Sequence, residues 1–323
     1  MTPATQSEGV LTTVCNRVRQ ALDEPTLQAK YTDTRIIERL NEAWPETVVD
    51  LYAAASNPPL ARYDVTVTDN MLYGVLPATV GEVRRIELWD SDGVTLVGEI
   101  IPRSRFNAYG QGIAFEGTHR FRIEPNVLSA SVLRFFYVPS GEAVLLKGTT
   151  PISQQTSTVL TLSSATTASL GAIDRRPHAY IGSIIRTLSY TGGLPSGYLR
   201  YPVEDRQISA YNVATGALTI TEPWTLYSSL MPTPLGNLTY EIFPPEAQGV
   251  FPVLWLKVAR DLCAEENRLD KFKVYSSRVL ETRRAMMLAW SRKQTRSPQA
   301  YNGDVSLDNP DFNGWGPWGI STW

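Results

Sequence analysis

Hydrophobic positions near the start of the chain recur every three or four residues. Between Glu8 and Leu22 they are Val10, Leu11, Val14, Val18, Ala21 and Leu22, which an α-helix gathers onto one face. Ser7 carries the side-chain oxygen that an N-cap needs, and Pro25 ends the helix because proline cannot continue the hydrogen-bond ladder. The period resumes after Thr32 or Asp33. Ile36, Ile37, Leu40, Ala43, Trp44, Val48 and Leu51 then share a face until Asn57-Pro58-Pro59 stops it. Pro45 lies inside this run and predicts a kink or a division into two helices.

The helical period returns only near the other end. After Pro244-Pro245 it runs through Phe251, Leu254, Trp255, Val258 and Leu262, with a break near Asn267. A last helix is predicted from about Asp270 to Lys293. Phe272, Tyr275, Val279, Met286 and Trp290 form its stripe, and Arg278, Arg284, Arg292 and Arg296 fall mostly on the opposite side. Arg283 sits inside the stripe, where its stem can lie on apolar surface while its head reaches water. Short amphipathic helices cannot bury their apolar faces alone. The pattern therefore predicts one helical bundle built from both termini, interrupted by a long insertion from about Asp64 to Phe243.

Within the insertion the period changes to two. Alternating or β-branched runs occupy Tyr63-Val67, Val83-Leu88, Val94-Ile101, His119-Ile123, Val132-Val138, Thr158-Leu162, Ile184-Tyr190, Gln207-Tyr211, Ala217-Thr221 and Thr239-Phe243. Turn signals at Asp92-Gly93, Gly192-Gly193 and Asn212 to Gly216 separate them. The expected fold class is α+β, with the insertion an antiparallel barrel or sandwich, or two of them joined through the Ser/Thr-rich stretch Thr149-Ser169. The chain then divides into residues 1–63 and 246–297 for the bundle, 64–150 and 151–245 for the two β-rich parts, and 298–323 as an extended tail. The tail has neither period. Phe312, Trp315, Trp318 and Trp323, spaced by Gly and Pro, suit docking into pockets on another subunit better than solvation.

Composition narrows the function. The 323 residues, 43% hydrophobic, suffice for a substantial core. With 30 Lys+Arg against 32 Asp+Glu, the chain lacks the overall field of a nucleic-acid coat. Charge is nonetheless uneven: Lys271 to Arg296 holds eight positive residues and one negative, Glu281, for a local net of +7. That helix points to DNA phosphates or an acidic protein surface, with Arg278, Arg284, Arg292, Lys293 and Arg296 as the candidate contacts. The start of the chain carries no leader-like apolar run and no stretch reaches the length of a membrane span, so a soluble, cytosolic protein is expected. Cys15 and Cys263 lie far apart without a CxxC, which predicts reduced, buried thiols.

Chemistry-bearing motifs are missing from the sequence. The chain has two histidines, His119 in a strand-like run and His178 beside Arg175-Arg176-Pro177, and neither stands in a recognisable catalytic or metal-binding spacing. Gly110-Gln111-Gly112 lacks the rest of a phosphate-binding fingerprint. The expectation is a protein without catalytic residues, cofactor or metal.

One resemblance adds a function. Arg17-Val18-Arg19-Gln20-Ala21-Leu22-Asp23, followed by Tyr31-Thr32-Asp33-Thr34-Arg35-Ile36-Ile37-Glu38-Arg39-Leu40-Asn41-Glu42-Ala43, resembles the opening of tailed-phage head-to-tail connector (adaptor) proteins, and Leu254 to Trp290 is similar to their closing helices. The resemblance covers about the outer third of the chain. It implies a homo-oligomeric ring, a dodecamer, in the virion neck beneath the portal protein. Such a ring contacts a downstream tail or nozzle protein and surrounds the packaged DNA on its way out. The long insertion departs from the simpler members. A second reading is a tail or neck protein whose β-rich part stacks host-surface carbohydrate on exposed Trp and Tyr.

Overall fold

The computed structural model describes residues 9–24, 30–55, 58–68, 71–100, 102–103, 113–117, 119–123, 131–151, 156–162, 173–176, 178–190, 203–224 and 237–293. Among them the chain is mixed α+β. Four helices lie near its ends: α1 (Val10–Ala21), α2 (Asp33–Ala54), α3 (Ala247–Glu265) and α4 (Leu269–Lys293). Between them run β1 (Ala61–Thr66), β2 (Tyr73–Val75), β3 (Val80–Trp89), β4 (Leu96–Ile100), β5 (Pro102–Arg103), β6 (Ile113–Glu116), β7 (Arg120–Ile123), β8 (Val132–Pro139), β9 (Leu146–Pro151), β10 (Val159–Thr161), β11 (Ile184–Tyr190), β12 (Glu204–Asn212), β13 (Ala217–Ile220) and β14 (Asn237–Phe243).

The strands form three sheets. Two four-stranded sheets, ordered β1-β8-β3-β4 and β2-β7-β6-β5, share one core in which Ile86, Leu133, Phe135 and Tyr137 of the first meet Ile113, Phe121 and Ile123 of the second. The third sheet, β10-β13-β12-β11-β14-β9, has its own core of Leu160, Ile185, Ile208, Leu218, Tyr240 and Ile242, closed by Tyr180 and Trp224. Pairing is antiparallel throughout except for β5 with β6. Strand β9 pairs with β14, so the second β-rich part takes in Leu146 to Thr150, upstream of the expected boundary at 151.

A third core gathers helical residues from both ends: Leu11, Val14 and Val18 of α1, Ile36, Leu40, Trp44 and Val48 of α2, Phe251, Leu254 and Val258 of α3, and Met286 of α4. Leu145, Ile184 and Phe243 join it from the β-rich part. The sheet residues are therefore built into the helical core and are not merely tethered to it. Helix α2 runs through Pro45 without division. Gly141, in left-handed backbone at φ +78°, packs against this position so closely that a Cβ would fall 2.8 Å from the Pro45 Cα. Cys15 and Cys263 are buried free thiols, and burial pushes the Cys15 thiol up to about 12.

The start of α1 departs from the sequence reading. The helix begins after Gly9, and oxygens from Glu241 of β14 cap it; the expected cap, Ser7, lies outside the described residues. Glu241 is fully buried, and its carboxylate accepts hydrogen bonds from the amides of Leu11 (3.0 Å) and Thr12 (2.9 Å) and from the Thr12 hydroxyl (2.9 Å). An anion at a helix N-terminus satisfies orphan amides and complements the dipole. Gly9 makes the approach possible, because a Cβ there would lie 2.3 Å from Glu241 Oε1. Gly9→Ala is expected to displace the carboxylate and cost about 1–3 kcal/mol. Urea melts reading the same stability for this variant and the parent would refute the cap.

The other end of α1 is also closed from far along the chain. Arg268 Nη1 donates to the Leu22 carbonyl (2.7 Å), while Lys271 Nζ (3.1 Å) and the Tyr275 hydroxyl (3.3 Å) donate to that of Ala21. Cations at a helix C-terminus are the favourable arrangement.

Candidate functional site

Helix α4 covers the helical core with the predicted stripe: Phe272, Tyr275, Val279 and Trp290 pack on it and Met286 is buried in it. Trp290 meets Tyr52 of α2 with ring centroids 5.3 Å apart. The opposite side is in solvent, and it is not simply charged. Val274, Leu280 and Leu288 are 49%, 53% and 57% exposed, interleaved with exposed Lys273, Arg278 and Arg284. Long aliphatic side chains between cations on one helix face form a surface suited to a partner that is both acidic and apolar.

The basic cluster is smaller than the sequence suggests. Lys271 is used within the chain, pairing with Asp23 and capping α1. Arg283 does not simply reach water: its guanidinium pairs with Asp50 of α2 at 2.6 Å, because the stripe position aims its head along the α2 surface. Arg278 and Arg284 remain on the outer face. Arg292 and Lys293 close α4, but their side chains, like Arg296 and the expected docking residues Phe312, Trp315, Trp318 and Trp323, lie outside the described residues.

Two further features bear on function. A polar depression lined by Lys30, Tyr31, Arg35, Glu265, Glu266 and Arg268 is filled by its own pairs, Arg35 with Glu265 at 3.6 Å and Arg268 with Glu266 at 2.9 Å. Tyr31 donates its hydroxyl proton to Glu266 at 3.0 Å. The second feature is one the sequence reading missed. His119, just before β7, and His178, before β11, come together with ring centroids 4.6 Å apart, and Glu142 from the β8–β9 connection completes the group. No local spacing signals this cluster, since its three members come from three separate connections.

The chain matches no family model, and no curated protein sequence matches it. Function therefore rests on surfaces and residues. Among the described residues no helix is long and apolar enough to cross a membrane.

The tryptophans of the β-rich part bear on carbohydrate stacking. Trp224 is only 6% exposed. Trp89 is covered by the Arg134 guanidinium at 4.0 Å from the ring centroid, and its indole N–H is donated to Glu87 at 2.9 Å. Burial closes Trp224 to a sugar, and Arg134 occupies one face of the Trp89 ring.

Proposed function

We propose that the protein is a non-enzymatic structural adaptor of a tailed virus, a ring in the virion neck that joins portal to tail around the DNA channel. In this reading the four helices act as one bundle closed by both ends of the chain, and the β-rich insertion projects from it as a ring-specific elaboration. Copies associate into a homo-oligomer, a dodecamer by the family resemblance, with the portal on one side and a tail or nozzle protein on the other. The observation that carries the reading is the solvent face of α4, where exposed Val274, Leu280 and Leu288 alternate with Lys273, Arg278 and Arg284. A core-covering helix whose outer side is also partly apolar is better suited to a second macromolecule than to water. The tail residues Phe312, Trp315, Trp318 and Trp323 supply a second contact in this proposal, docking on a neighbouring subunit or ring.

Carbohydrate binding by the β-rich part is the weaker reading because of the covered Trp89 and buried Trp224. The deciding experiment mixes purified protein with portal and images the result by negative stain. A co-axial ring is the expected outcome; a monomer that ignores portal and binds a glycan array would reverse the choice. Arg278→Glu with Arg284→Glu is expected to weaken ring or portal association by more than about tenfold, since reversed charges meet an acidic partner with repulsion. Circular dichroism of the free variant should stay that of the parent. Unchanged association would leave α4's outer face as an ordinary solvated surface.

A further inference from the structure

We propose that His119, His178 and Glu142 form a binding site for a divalent transition-metal ion of the zinc class. The two histidines of the chain, remote in sequence, are brought side by side, and each of the three residues offers a ligand atom within 4.8 Å of the others. His119 Nε2 is 3.7 Å from Glu142 Oε2. Four-coordinate zinc with bonds of about 2.0–2.1 Å spaces its ligand atoms roughly 3.3 Å apart. The His119–Glu142 pair is close to that spacing, and the widest pair has to close by up to about 1.5 Å, with the half-exposed Glu142 side chain the part that moves.

The scaffold holds both histidines from one short segment. The His119 carbonyl accepts the Leu76 amide at 2.6 Å, and the His178 carbonyl accepts the Ala78 amide at 3.2 Å. The same segment steadies Glu142: Ser140 donates its hydroxyl proton to the Ala78 carbonyl (2.5 Å) and accepts the Glu142 amide (3.0 Å). Arg176 grips the carboxylate, donating to Glu142 Oε2 (3.0 Å) and to the Glu142 carbonyl (3.0 Å) while pairing with Asp174. The guanidinium holds the same oxygen that faces His119, so a bound ion would share Oε2 with Arg176 or take Oε1 after the carboxylate turns. The positive charge of Arg176 opposes the ion, and the Asp174 carboxylate offsets it.

The chemistry of the rings fits. His119 Nδ1 is buried without a hydrogen-bond partner, so no other group among the described residues fixes this ring's proton. Two imidazoles and a carboxylate suit zinc and its neighbours rather than calcium or magnesium. Three protein ligands leave a fourth position for water or a group from another chain. The ion would staple the turn before β7, the β8–β9 connection and the segment before β11, which belong to different β cores.

The test titrates metal-stripped full-length protein with Zn²⁺ by calorimetry and with Co²⁺ by visible absorption. One ion per chain at about micromolar affinity or tighter is expected, with the intense cobalt bands of a four-coordinate site and a raised melting temperature. His178→Ala and Glu142→Gln should each weaken binding by more than about tenfold, while the apo proteins keep the parent's circular dichroism. Glu142 is half exposed, so its variant folds even if a histidine variant does not. Binding weaker than about 100 µM, or binding that neither substitution changes, overturns the proposal.

Discussion

Leu40→Ala is expected to destabilise the protein by about 2–5 kcal/mol, and Leu254→Ala by a similar amount, with the two losses not additive. Both side chains are completely buried in the core that gathers α1, α2, α3 and α4. Removing either leaves a cavity that its neighbours fill only in part, and the lost contacts include residues from the far end of the chain. The measurement is a double-mutant cycle from urea midpoints, monitored by helical circular dichroism. Additive losses would mean that Leu40 and Leu254 do not couple across the core. A variant with an unchanged midpoint would mean that the shared core is wrong.

A pH dependence of comparable size is expected from Glu246, the residue preceding α3. Both its carboxylate oxygens are buried without a hydrogen-bond partner, and burial pushes the group from 4.5 up to about 8. The folded protein therefore keeps a proton that the unfolded chain releases. Below about pH 4.5 both states hold it and there is no penalty. Between there and pH 8 folding loses about 1.4 kcal/mol per unit, and above 8 the loss is constant, on the order of 5 kcal/mol in all. Glu246→Gln, close in shape and always neutral, should leave stability near pH 5 almost unchanged and raise it at pH 8–9. Because the remaining titratable groups are common to both proteins, the difference curve isolates Glu246. A difference flat across pH would show that the carboxylate is hydrated.

The helices were legible because their burial is one-sided: the run from Ile36 to Leu51 and the stripe from Phe272 to Trp290 each meet the core on the face their spacing marks. The longer strands were legible for the same reason, as were the turns at Asp92, whose carboxylate accepts the Val94 amide (2.8 Å), and at Asn212, whose side chain accepts that of Ala214 (3.0 Å). Gly192-Gly193 lies outside the described residues. Strands β2, β5, β6 and β9 escaped notice. Tyr-Gly-Val and Pro-Arg are too short to show a period, Ile-Ala-Phe-Glu barely alternates, and Leu-Lys-Gly-Thr-Thr-Pro carries two residues that strands disfavour. Their partners impose the extended form: β9 lies along β14 in register from Leu146↔Ile242 to Pro151↔Asn237. Tertiary electrostatics was equally invisible. Nothing near Lys271, Arg283 or Glu241 foretells that each serves a partner more than 220 positions away.

The Glu241 cap also sets an order of events during synthesis. The amides it satisfies belong to residues about 230 positions earlier, and the carbonyls at the other end of α1 wait for Arg268 and Lys271. The emerging amino-terminal helices thus spend most of translation without the groups that close them, their apolar faces available to chaperones or to one another. Every strand of the β-rich middle lies upstream of α3, and five of its pairings join consecutive strands (β3–β4, β5–β6, β6–β7, β11–β12 and β12–β13), so this part can fold before α3 emerges. Helical closure then waits for α3 and α4 to emerge. A chain that stops before α3 would keep its sheets and the Glu241 cap but lack Arg268, Lys271 and the apolar faces of α3 and α4, leaving α1 and α2 half covered and the species prone to aggregation.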